Sequence, residues 1–78
     1  MSQALPDLYG LLRLSPSDRA SPRFSEILRD HYLKLAGQCH PERHPGDPRR
    51  AEAFQALSYA YDILSDPGLR TEYDSCLR

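Results

Sequence analysis

Apolar positions recur at steps of three and four through two long stretches of this chain, and these stretches set its architecture. Phe24, Ile27, Leu28, Tyr32, Leu35, Ala36 and Cys39 hold a helical period for roughly four turns. Arg23, Glu26, Arg29, Asp30 and Lys34 fall mostly on the opposite face. Ser21 and Pro22 read as the N-cap and first residue of this helix, and Gly37 weakens its last turn by about 1 kcal/mol relative to alanine. Ala53, Phe54, Leu57, Ala60, Tyr61 and Leu64 repeat the period in a second long helix, with Asp47 as cap and Pro48 at its first position. Leu8, Leu11 and Leu12 give a short opening helix an apolar face, with Pro6 in its first turn. Ser15-Pro16-Ser17-Asp18 reads as a loop that ends it. Ser65-Asp66-Pro67-Gly68 ends the second long helix, and Asp66-Pro67 launches a short last one carrying Leu69, Tyr73 and Leu77. No stretch alternates as a strand does. The expected fold is all-α, with two long antiparallel helices joined by a proline-rich loop and short helices at both ends.

Composition narrows the class. Seventy-eight residues, 40% hydrophobic and 27% charged, make a single globular domain over 1–78, either a small complete protein or an excised module. A formal charge of -1 and a pI near 6.3 argue against nucleic acid as partner. The balance is uneven along the chain: residues 23–50 carry six basic side chains against four acidic ones, and residues 51–78 carry two against five. A mildly positive middle suits an acidic protein surface. The aromatic residues fall at helical spacing and read mostly as core. Cys39 and Cys76 lie far apart in sequence; one disulfide is conceivable, but two isolated cysteines favour a reducing compartment, the cytoplasm first, with the mitochondrial matrix or nucleus as alternatives. No apolar run is long enough to span a membrane.

The chemistry concentrates at Cys39-His40-Pro41-Glu42-Arg43, which opens a loop also holding Pro45 and Pro48. Proline cannot continue a helix, so His40, Pro41 and Glu42 are expected at a stiff, solvent-facing corner. An imidazole, a rigid ring and a carboxylate suit the docking of a partner. They are too few for catalysis, because His40 has no nucleophile or oriented partner in reach of the sequence pattern. Cys39, His40, Glu42 and His44 lack the paired spacing of a zinc site, and Cys39 continues the apolar face, so no metal or other cofactor is expected.

This order of parts resembles the J-domain of Hsp40 (DnaJ-like) co-chaperones, from about Asp7 to Leu77. The resemblance rests on Leu8-Tyr9-Gly10-Leu11-Leu12, on Tyr32-Leu33-Lys34-Leu35-Ala36 followed by His40-Pro41, on Phe54-Gln55-Ala56-Leu57 with Ala60-Tyr61-Asp62-Ile63-Leu64, and on Arg70-Thr71-Glu72-Tyr73-Asp74. It implies a module that docks on an Hsp70-family chaperone and stimulates its ATP hydrolysis, with client polypeptides handled by other regions. By the same resemblance the contact residues would be His40, Pro41, Glu42, Arg29 and Lys34, extended by Arg43 and by the Tyr32 hydroxyl unless that residue serves packing. Arg70 and Asp74, four apart, read as an ordinary surface pair worth a few tenths of a kcal/mol.

Two departures from the family pattern bear on function. The family tripeptide His-Pro-Asp reads His40-Pro41-Glu42, which keeps the charge on a side chain one methylene longer. A charge-assisted contact contributes on the order of 1.5–3 kcal/mol, so misplacing it costs tenfold or more in activity. Asp30, Leu33 and Gln38 also stand where the family often has lysine or arginine, so steering towards an acidic surface is expected to be weaker. Both departures point to a module that is either attenuated or matched to a particular Hsp70. The alternative is a J-like scaffold or heterodimerisation module that no longer stimulates an Hsp70.

Overall fold

The computed structural model describes residues 6–40, 42–43 and 45–77. Five helices follow in order: α1 (Leu8–Leu11), α2 (Pro16–Ala20), α3 (Phe24–Cys39), α4 (Pro48–Ser65) and α5 (Pro67–Cys76). The described residues contain no strand, and the architecture is the all-α pattern expected.

Local chemistry starts each element. Asp47 accepts hydrogen bonds from the Arg49 and Arg50 amides at 3.0 and 3.4 Å, with Pro48 at the first position of α4. Asp66 does the same for α5, accepting from Gly68 and Leu69 at 2.9 and 3.1 Å, with Pro67 first. Each cap satisfies amide donors that the helix cannot pair itself, typically worth about 1 kcal/mol. At α1 the cap is Asp7, which accepts from the Gly10 amide, so Pro6 precedes the cap and lies outside the first turn.

Ser15-Pro16-Ser17-Asp18 forms no loop but the start of α2. The Ser15 hydroxyl accepts the Asp18 amide at 3.1 Å, and the Asp18 carboxylate accepts the Ser15 amide at 2.9 Å. That reciprocal capping box makes a five-residue helix from residues that also suit a loop. The Ser15 amide holds the Asp18 carboxyl below its ordinary range, with smaller help from the Ser15 hydroxyl. The long helix then starts two residues later than Ser21-Pro22 suggested. Arg23 occupies its N-cap position without a side-chain bond, while Ser21 Oγ accepts the Arg23 amide at 3.0 Å.

Helix α1 closes on a left-handed residue. The Leu14 amide reaches back to the Tyr9 carbonyl at 2.9 Å and the Arg13 amide to the Gly10 carbonyl at 3.0 Å. This is the Schellman arrangement, and its left-handed position is Arg13 at φ 55°. A side chain with a Cβ is held there at a cost of about 1–2 kcal/mol relative to the right-handed region.

Leu8, Leu12 and Leu28 are essentially inaccessible and centre a core completed by Tyr9, Leu14, Phe24, Leu57, Ala60, Leu64 and Tyr73. Helices α3 and α4 run antiparallel. Tyr32 stacks on Tyr61 at 4.5 Å between centroids, while His40, further along α3, meets Phe54, further back along α4. Leu11, Leu69 and Leu77 are exposed, so the short helices turn fewer apolar residues inward than their spacing suggested. Tyr59 also departs from the expected core placement and is 57% exposed.

Short helices gain their place through polar ties across the chain. The buried Tyr73 hydroxyl accepts the Leu8 amide at 2.9 Å and donates to the Pro6 carbonyl. The Tyr9 hydroxyl donates to Asp74. Arg70 is far more than half of a surface pair. Its Nε donates to the Tyr9 hydroxyl at 3.1 Å, its Nη2 donates to the Arg19 carbonyl at 2.9 Å, and its guanidinium lies 3.7 Å over the Phe24 ring. It thereby joins α1, α2, α3 and α5.

Candidate functional site

The C-terminus of α3 builds the corner. His40 is its C-cap residue, with φ -57° and ψ 132°, so the chain leaves the helix there in an extended direction. This backbone is what a residue before proline adopts, since the α region is disfavoured at that position. The His40 ring is half-buried and meets Phe54 edge-on, 5.3 Å between centroids and 79° between planes. Its Nδ1 accepts the Glu42 amide at 3.2 Å, and its carbonyl accepts the Arg43 amide at 3.0 Å. With Nδ1 accepting, the neutral ring carries its proton on Nε2, which is left as a donor for a partner.

Glu42 and Arg43 are exposed. Among the described residues, the Glu42 carboxylate has no hydrogen-bond or ion-pair partner, so its charge is available at the corner. Arg50, at the start of α4, donates from Nη1 to the Gln38 carbonyl at 3.3 Å and lies 3.9 Å from Asp47. The two arms of the corner are thus tied on either side of the loop. Pro41 and His44 lie outside the described residues.

The remaining expected contacts divide. Arg29 and Lys34 are both exposed on α3. Five positions separate them, about 140° around a helix, so they flank the outer face from opposite sides and form no single stripe. Tyr32 serves packing, with its ring on Tyr61 and its hydroxyl 3.2 Å from Ser58 Oγ. No group of three or more histidine, cysteine or carboxylate side chains among the described residues could hold a metal. Phe54 and Arg50 support the corner and were not singled out from the sequence. Phe54 looks like one more core position there, and nothing local in the sequence links Arg50 to a carbonyl twelve residues away.

Two long antiparallel helices thus meet at a corner that holds a half-buried His40 and an exposed Glu42, and the short helices pack at the other end of the pair. The family model for the DnaJ domain matches residues 7–74, and the chain belongs to that family. It is 43% identical over 72 residues to a chaperone protein DnaJ of Synechococcus elongatus, covering 91% of this chain and 23% of that protein. It is 43% identical over 68 residues to the protein CAJ1 of Saccharomyces cerevisiae, covering 87% of this chain and 16% of the relative. It is 48% identical over 56 residues to the DnaJ homolog subfamily B member 11 of Canis lupus familiaris, covering 69% and 16%. The chain therefore spans less than a quarter of the length of these relatives. No helix among the described residues is long and apolar enough to cross a membrane.

Proposed function

We propose that this domain is a co-chaperone module that docks on an Hsp70-family chaperone through His40, Pro41 and Glu42 and stimulates its ATP hydrolysis. The observation that carries this reading is the pairing of a fixed imidazole with an unpartnered carboxylate. Phe54 and the Glu42 amide hold the His40 ring, while the Glu42 carboxylate stands exposed two residues on. A partner guanidinium can pair with that carboxylate as it would with an aspartate, but the longer side chain has one more bond to freeze. The substitution therefore lowers stimulation without removing the docking charge. Arg43 adds a cation beside the tripeptide, and Arg29 and Lys34 contribute from the two flanks of α3. Client polypeptides are engaged by regions outside this domain. The unpaired cysteines, Cys39 and the exposed Cys76, fit a reducing compartment.

Single-turnover ATP hydrolysis by Hsp70s of the same source tests this, with wild type, His40→Gln and Glu42→Asp. Stimulation by wild type, lost in His40→Gln and raised several-fold in Glu42→Asp, is the expected result. If all three are silent while circular dichroism shows the fold intact, the module is a scaffold and the proposal fails.

A further inference from the structure

We propose that the open cleft between the α1–α2 connection and α3, built around Arg13 and Lys34, receives an acidic peptide segment of a protein partner. The cleft holds about 360 Å³ and is lined by Arg13, His31, Lys34, Leu35 and Gln38. Two of these residues are cations and none is a carboxylate.

The residue type at position 13 is the first observation. The Schellman turn requires a left-handed backbone at φ 55°, and glycine meets that need without a Cβ. Arginine meets it only under strain, so the turn itself does not explain the side chain. Non-glycine residues held in this region are the ones whose side chains repay a search for function. Among the described residues, the Arg13 guanidinium makes no hydrogen bond, ion pair or ring contact, whereas Arg19 and Arg70 spend theirs inside the fold.

The second observation is that the backbone carrying the cation is tied to α3. His31 Nδ1 donates to the Leu12 carbonyl at 2.8 Å, pinning α3 to the residue just before Arg13. The other ring nitrogen, Nε2, remains as a further polar group. Lys34 is exposed one turn along from His31, so both cations border the same cleft. The Asp18 carboxylate, which feels the His31 ring, is already bonded to the Ser15 amide.

The ligand class follows from the chemistry. A guanidinium fork and an ammonium over the apolar Leu35 suit carboxylates on aliphatic stems, as in glutamate-rich peptide. A nucleic acid would need a wider basic surface than a chain of net charge -1 supplies. Lys34 is shared with the flank of α3 assigned above to Hsp70 docking, whereas Arg13 belongs to the cleft alone, so Arg13→Gly is the variant that separates the two sites.

The test is a titration of the ¹⁵N-labelled domain with N-acetyl-hexaglutamate at low ionic strength, read by amide shifts. Shifts centred on Arg13, His31 and Lys34 are expected. Arg13→Gly should raise the thermal midpoint, because the strain is relieved, while weakening peptide binding about tenfold. Arg13→Lys should recover most of the affinity, and Lys34→Gln should lower it with the fold unchanged. Binding by Arg13→Gly equal to wild type, or shifts spread evenly over Arg49 and Arg50, would overturn the proposal. So would equal occupancy by inorganic phosphate at the same concentration, which would reassign the cleft to a phosphate group.

Discussion

Replacing Arg70 with alanine separates a surface ion pair from an internal anchor. The Asp74 contact alone, at 3.8 Å with the aspartate side chain 44% exposed, is worth a few tenths of a kcal/mol. The structure adds a charge-assisted bond to the Arg19 carbonyl, a bond to the Tyr9 hydroxyl and a guanidinium stacked on Phe24. Hydrogen bonds to charged groups contribute about 1.5–3 kcal/mol and a cation over a ring about 0.5–1. The Arg70 side chain is 27% exposed, so solvent and shared partners trim the total to about 2–3 kcal/mol. A domain of this size has roughly 4–12 kcal/mol in all. The midpoint of thermal unfolding should therefore fall by about 10–20 °C. Circular dichroism melts and urea titrations of wild type, Arg70→Ala, Arg70→Lys and Asp74→Asn would measure this. Lysine keeps the charge beside Asp74 but lacks the fork that reaches Tyr9 and Arg19 together, so it should recover only the smaller part. A loss below about 0.5 kcal/mol in Arg70→Ala, or full recovery in Arg70→Lys, would refute the anchor.

Two further outcomes follow from the same set of ties. Tyr73→Phe removes the acceptor of the Leu8 amide, and Leu8 is only 1% exposed, so the unpaired donor should cost about 1–3 kcal/mol in urea unfolding, whereas Tyr59→Phe on the surface should cost less than about 0.5. Burial, and next the hydrogen bond to Asp74, raise the Tyr9 phenol above its ordinary 10.0, with Arg70 partly opposing. A raised phenol favours the neutral form in the folded state, so its contribution is complete below pH 10.0 and is lost as pH rises through the folded value. Alkaline unfolding should therefore be less steep in Tyr9→Phe, and an unchanged slope would show that the phenol carries no such linkage.

The long helices were legible because their information is local. Apolar residues at three- and four-residue steps fill one face, and an aspartate before a proline both caps and starts a helix, so Asp47-Pro48 and Asp66-Pro67 mark real boundaries. The corner was legible for the same reason, since a proline after His40 forces the chain out of α3 whatever surrounds it. Ser15–Asp18 was ambiguous by composition. The residues that favour a loop also form a capping box, and only the reciprocal bonds decide between them.

What the sequence determined by itself was the all-α class, the two long helices, the Asp47 cap of the second and the family resemblance, because these depend on neighbours within about one helical turn. Tertiary structure alone decided the rest. It turned Leu11 and Leu69 outward, set the Tyr32 hydroxyl on Ser58, placed Phe54 against His40 and made Arg70 an anchor between four helices. Each of these joins residues 14 to 61 positions apart or depends on which face of a short helix meets the core. A helix of four or five residues has too few turns for its period to choose a face, so packing against α3, α4 and α5 makes the choice.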